Sequence, residues 1–368
     1  MHKKKGNIME NQDSMESNRK SIKQYLADFP YIQVAFIIGL LLAVFLIPNN
    51  TNLTTGKKGL PQGWMTINPP KKTTCIIQWN DTAVAGDNEG VYRIELKTGK
   101  LLEKYTQSIK MEYVRALMID DKESLWVCHI NGVSKFDGNS WANFSIKNGL
   151  PDNRANCILQ DSKGLIWVGT SKGVGIFNGK AWRTMTIKDG LISDAINVIA
   201  QHTNGSIFFG SYLTNNGGIS CLYNGKWQHF NTKNGLLHDF ITCFFEDSKN
   251  AMWVGTGFLE RGAASKLECK NGKWLITKTL TAKDGLAGEK VCSIFEQKNK
   301  GIMWFGSEYD GIAFTQNGKW KTIAPNQGLA GCEVKSIMYD TIGNMWFATP
   351  DGITRINEEA LEKVIKFN

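Results

Sequence analysis

Tryptophan recurs as a pair about every forty residues along this 368-residue chain. One member opens a W-[VF]-[GCA] step: Trp126-Val127-Cys128, Trp167-Val168-Gly169, Trp253-Val254-Gly255, Trp304-Phe305-Gly306 and Trp346-Phe347-Ala348. The other follows a tight turn. Asp137-Gly138 precedes Trp141, Asn178-Gly179 precedes Trp182, Asn224-Gly225 precedes Trp227, Asn271-Gly272 precedes Trp274, and Asn317-Gly318 precedes Trp320. A self-similar period of this length means one small structural unit copied many times.

The first ladder continues through Phe208, which replaces Trp in Ile207-Phe208-Phe209-Gly210, and back to Val84 in Val84-Ala85-Gly86. Seven units follow, anchored at 84, 126, 167, 208, 253, 304 and 346. Each reads as four short strands. In the third, Asn156-Cys157-Ile158-Leu159-Gln160 is an apolar strand, and Asp161-Ser162-Lys163-Gly164 is a turn. There the Asp bonds its own backbone and Gly supplies positive φ. The next strand is 165–170, Ser171-Lys172-Gly173 turns the chain, and 174–177 leads to the Asn178-Gly179 hairpin signal and the strand 182–187. Strands of this length, with no helical period between them, predict an all-β, seven-bladed β-propeller of four-stranded antiparallel blades. Trp64, Trp126, Trp141, Trp167, Trp182, Trp227, Trp253, Trp274, Trp304, Trp320 and Trp346 are then packing residues between blades.

Unit seven has no outer tryptophan, and a spare one stands early, in Gly63-Trp64-Met65-Thr66-Ile67. The Trp64 strand is therefore expected to join blade seven and close the ring, with 361–367 competing for that edge as a strand or short helix. Ahead of the propeller (64–368), residues 1–30 form a polar tail, 31–48 an apolar segment and 49–63 a linker. Residues 31–47 carry no charge, long enough for a short membrane span. A cleaved signal peptide is the other reading, but no Ala-x-Ala step follows. Lysines on the amino side place that end in the cytoplasm and the propeller beyond a bacterial inner membrane.

The net charge is +9, and no basic run is interleaved with aromatics, so the sequence points away from nucleic acid. Of eight cysteines, Cys75, Cys157, Cys243 and Cys292 fall at nearly one place in their units, where Ala116 and Ser336 stand elsewhere. That pattern predicts a small residue on the innermost strand and free thiols. Cys221 with Cys269 is the candidate disulfide by unit position. No CxxC pair or His cluster indicates a metal, and no cofactor is expected.

In a propeller, the interblade connections and the turns joining second to third strands share one face. Here those turns lengthen: 211–218 in unit four, 256–262 in unit five, and Glu308-Tyr309-Asp310 in unit six. Growth confined to one face marks it as the working face. The candidate ligand-binding residues are His129, Arg154, Lys172, Asp194, Tyr212, Asn215, His238, Asp239, Glu260, Arg261, Glu289, Tyr309, Asp310 and Glu333. The plain alternative for each is a soluble loop residue or a turn cap.

The unit Gly149-Leu150-Pro151-Asp152-Asn153, then Cys157-Ile158-Leu159-Gln160-Asp161-Ser162-Lys163-Gly164-Leu165-Ile166-Trp167-Val168-Gly169-Thr170, resembles the two-component regulator propeller repeat. The frame recurs at 247–256 and 340–347. The resemblance implies the extracytoplasmic sensor half of bacterial hybrid two-component proteins, which often respond to glycan breakdown products. Larger members also carry a kinase and a DNA-binding domain. A dozen residues after the seventh unit cannot hold these, so a separate histidine kinase or envelope protein is expected to carry the signal. A carbohydrate is the expected ligand. Two alternatives remain: a propeller-fold lyase or hydrolase, for which no catalytic set stands out, and a protein-interaction scaffold in the envelope.

Overall fold

The computed structural model describes residues 59–105, 110–259 and 261–367. They form seven four-stranded antiparallel sheets. Six are consecutive in sequence and span 75–105, 116–144, 155–185, 196–230, 241–280 and 291–323. The seventh joins Ser336–Tyr339, Met345–Thr349 and Gly352–Ile356 to Trp64–Ile67 from the other end of the chain. Trp64 pairs with Ile356 and Ile67 with Ile353, so the early strand does close the ring. The tail takes the helix Glu358–Val364, with Asn357 Oδ1 accepting from the Ala360 amide at 2.9 Å.

No helix among the described residues is long and apolar enough to cross a membrane. The segment 31–48 and the tail 1–30 expected from the sequence lie outside the described residues, as does the linker up to 58.

Four anchor tryptophans share one local device. Six residues earlier stands an aspartate: Asp120, Asp161, Asp247 and Asp340. One carboxylate oxygen accepts two backbone amides of the turn, as Asp161 does from Lys163 and Leu165 at 2.9 Å each. The other accepts the indole N–H at 2.8 Å in all four blades. A single buried carboxylate thus satisfies the turn and orients the ring.

The outer tryptophans do a different job. Blades two to six each lead to the next through a capped 3-10 turn ending in a positive-φ glycine, as in Thr186-Ile187-Lys188-Asp189-Gly190-Leu191. Gly190 has φ +113, and a Cβ there would run into the Trp227 indole of the following blade. Gly149 meets Trp182 in the same way, Gly285 meets Trp320, and Gly328 of blade six meets Trp64. Trp64 therefore docks as blade seven's own outer tryptophan would.

Inner strands are laced together across the seams. Thr74 Oγ1 donates to the Val114 carbonyl at 2.5 Å, Asn156 Nδ2 to Ile196 at 2.8 Å and Asn197 Nδ2 to Ile241 at 2.8 Å. Thr242 Oγ1 donates to Val291, Ser293 Oγ to Val334 at 2.7 Å and Ser336 Oγ to Ile76 at 3.4 Å.

All eight cysteines are free, including Cys221 and Cys269. Burial pushes the Cys75 thiol up to about 11 and those of Cys157, Cys221 and Cys243 up to about 12. The small-residue position needs one correction. In blade six Ser293, not Cys292, pairs with the glycine of the second strand, because the turn between its first two strands is longer by one residue than in blades three and five, and in blade four Val198 stands there.

Candidate ligand-binding site

The strand order places the interblade connections and the second-to-third strand turns at one end of the ring. The expected site residues distribute into three groups there.

The first group serves the fold. His129 is buried, and its Nδ1 accepts the Asn131 amide at 3.2 Å. Its Nε2 therefore carries the proton and donates to Ser134 Oγ at 2.8 Å, which donates onward to Asn143 Oδ1 at 2.7 Å. Burial draws the His129 pKa down to about 4, so the ring is neutral. Asp194 Oδ1 caps the Ile187 amide at 2.8 Å, and Asp239 Oδ1 caps Thr232 at 2.7 Å. Lys172 reaches Asp152 at 3.4 Å, and Lys335 pairs with Glu333 at 3.2 Å. Asn215 is exposed and Glu289 half-buried, and Glu260 lies outside the described residues.

The second group converges. His238, Phe258, Leu259, Arg261 and Tyr309 line a cleft of about 570 Å3 between the enlarged turns of blades five and six. The hairpin pairing of Phe258 with Arg261, and Leu259 at φ 55, turn the chain sharply and thrust these side chains outward. Leu259 is 61% exposed and Tyr309 57%. Beneath lies a supporting layer: Phe258 stacks on Phe240 at 5.9 Å, and the Lys290 ammonium sits 5.8 Å from the Phe240 ring centroid. Lys290 also bonds Glu308 at 2.6 Å. Burial works to lower the Lys290 pKa, but the Cys292 thiol and the Glu308 and Glu333 carboxylates outweigh it and hold it above the ordinary lysine value. His238 is lowered, chiefly by burial, with Arg261 and Lys290 adding to the effect and Asp239 opposing it. Its Nδ1 accepts the Phe240 amide at 2.9 Å. Asp310 is exposed beside this cleft, its amide held by Ser307 Oγ at 2.9 Å.

The third group is Arg154 and Tyr212, the guanidinium carbon 5.6 Å from the ring centroid. Tyr212 does not line the blade five–six cleft. Sequence reasoning passed over Phe240, Phe258, Lys290 and Glu308 as site residues. Phe240 and Lys290 immediately precede inner strands whose spacing was legible, but the aromatic–cation contact between them is tertiary and leaves no local signal.

Comparison with known proteins agrees with this architecture. The profile of the two component regulator propeller matches residues 149–172 and 235–258, so the chain carries that repeat. No curated sequence matches. The chain superposes on the extracellular domain assigned to the hybrid two component system BT3049 of B. thetaiotaomicron, with TM-score 0.70, 19% identity, 83% of this chain and 42% of that chain covered. For the corresponding domain of BT4673 from the same organism the figures are 0.62, 17%, 80% and 40%. The chain thus spans less than half the length of these domains. It also superposes on virginiamycin B lyase from Staphylococcus aureus, with TM-score 0.61, 15% identity, and 79% and 97% covered. At these identities the likeness is one of fold.

Proposed function

We propose that this chain is the ligand-binding propeller of an extracytoplasmic sensor, tethered to the inner membrane through 31–48 and relaying occupancy through a separate histidine kinase or envelope protein. The observation that carries the reading is the blade five–six cleft. Exposed aromatic and alkyl surface there adjoins Arg261 and His238. An oligosaccharide has that complementarity: C–H faces of sugar rings pack on Tyr309 and Phe258, while the guanidinium and imidazole hydrogen-bond the hydroxyls. The extracytoplasmic setting is supported by the extracellular domains that share the repeat's fold. Lys290, locked between Phe240 and Glu308, gives the cleft a stiff floor through which occupancy can be felt at the inner strands.

Hydrogen exchange of the full chain, with cello-, xylo- and manno-oligosaccharides as probes, tests the reading. Slowed exchange in 256–262 and 307–311 with one probe class is the expected result. Exchange unchanged with all three, or slowed elsewhere alone, contradicts it.

A further inference from the structure

At six of the seven seams a side chain donates to a backbone carbonyl near the start of the neighbouring inner strand; among the described residues the seam between blades two and three lacks that bond, though Gln160 and Asp121 bridge its other end at 2.7 and 2.9 Å. The position held by Thr74, Asn156, Asn197 and Thr242 in blades one, three, four and five is held by Arg115 in blade two. The carbonyl corresponding to Ile196 and Ile241 is that of Ala155. Arg115 makes no side-chain hydrogen bond or ion pair among the described residues, and its buried Nε has no partner. Arg154, at the start of the next inner strand, is in the same condition: its Nε is buried and unpartnered. The neighbouring Asp152 is engaged elsewhere, with Lys172 at 3.4 Å and with the Arg154 amide at 2.8 Å. Tyr212 braces Arg154 from blade four.

Two guanidinium groups without a counter-ion, close enough to feel each other, are a costly arrangement. Burial, then the charge of Arg154, draws the Arg115 pKa down to about 10. A buried donor left unmade costs free energy, and an unpaired buried charge costs more. Four other blades show a cheaper solution in Thr or Asn at this very place, and blades six and seven, with Cys292 and Lys335 there, make the bond from Ser293 and Ser336 one residue on. The exception is explained by a group that supplies the missing acceptors from outside.

We propose that Arg115 and Arg154, at the working-face end of the central axis, form an oxyanion site that takes the carboxylate of a small acidic ligand. A carboxylate presents two coplanar oxygens, which the planar guanidinium fork matches with paired hydrogen bonds. The Tyr212 ring offers the rest of the ligand an aromatic wall. The site shares no residue with the blade five–six cleft, so either can fail without the other.

Calorimetric titration of the full chain at low salt tests this, with D-glucuronate as the acidic probe, D-glucose as its neutral counterpart and inorganic phosphate as a tetrahedral anion. Saturable binding of glucuronate, without binding of glucose, is expected. Arg115→Asn should weaken it at least about tenfold and, by restoring a bond of the kind made by Asn156 and Asn197, raise the melting temperature. Arg154→Gln should weaken it similarly, whereas Lys122→Gln, at an exposed turn on the opposite face, should leave it unchanged. Absence of glucuronate binding, binding of phosphate alone, or undiminished affinity in both arginine variants would overturn the proposal. The gain in melting temperature is a second check, since a merely structural Arg115 would destabilise the ring when replaced.

Discussion

Trp274 Nε1 donates to Ser206 Oγ at 3.1 Å, across the seam between blades five and four. This is the one described outer tryptophan that is fully buried. Its ring meets Phe208 edge-on at 4.9 Å and His202 at 4.7 Å. Phe208 and His202 stand where blades two, three, five and seven carry the Trp–Asp pair. With no indole on the anchor there is no N–H for a carboxylate to accept, and the space is filled from the next blade instead. Ile276 takes over the docking on Gly235 that an outer tryptophan performs elsewhere.

These substitutions should therefore be coupled. Trp274→Ala is expected to cost about 3–5 kcal/mol, and Phe208→Trp, overpacking a filled site, about 1–3 kcal/mol. The double variant should be more stable than their sum by at least about 1 kcal/mol. Urea unfolding of the four proteins measures this; strict additivity would show that the two rings do not share one space.

Gly190 and Gly179 separate backbone strain from blade docking. Both have positive φ, +113 and +90, but a Cβ on Gly179 meets nothing and one on Gly190 meets Trp227. Gly179→Ala should cost about 1–2 kcal/mol from the left-handed backbone alone. Gly190→Ala should exceed it by about 1–3 kcal/mol. Equal midpoint shifts at equal m-values would remove the role assigned to the outer ladder.

His129 predicts an acid-sensitive blade two. Its folded pKa, about 4, lies below the unfolded value of 6.5. The unfolded chain therefore takes up the proton first as pH falls. The stability is intact above pH 6.5 and is lost progressively from 6.5 to 4, by up to about 3 kcal/mol. His229 and His238 are lowered in the same direction, also chiefly by burial. His129→Gln should flatten the stability-versus-pH curve in that window. An unchanged acid limb would mean that His129 is not buried neutral.

The ring was readable because its determinants are local and repeated. Trp126, Trp167, Trp253, Trp304 and Trp346 mark the strands, and the Asn-Gly turns mark the hairpins. Even closure by Trp64 follows from counting. What escaped the sequence lies between blades. The bond from Asp161 to the Trp167 indole joins residues whose turn and anchor roles were each legible, but not their link. The Trp274 detour depends on Phe208 sixty-odd residues earlier. In the site, Arg261 and Tyr309 were found because long turns announce themselves. Asp194 and Asp239 look the same as ligand-binding acids in sequence, and only the amides of Ile187 and Thr232 show them to be caps. Arg115 carried no signal, since its meaning lies in what the equivalent residues of other blades do.

The most direct test of the sensor reading is binding at the blade five–six cleft, measured as the shift in thermal stability of the full chain with cello-, xylo- or manno-oligosaccharides. A probe at about a hundred times its dissociation constant should add about 2.7 kcal/mol to the stability of the native chain. The Leu259→Ala/Arg261→Ala/Tyr309→Ala variant, altered at exposed side chains, should melt like the native chain without the probe and show no gain with it. No gain with any of the three probes, or an equal gain in the triple variant, would contradict the account.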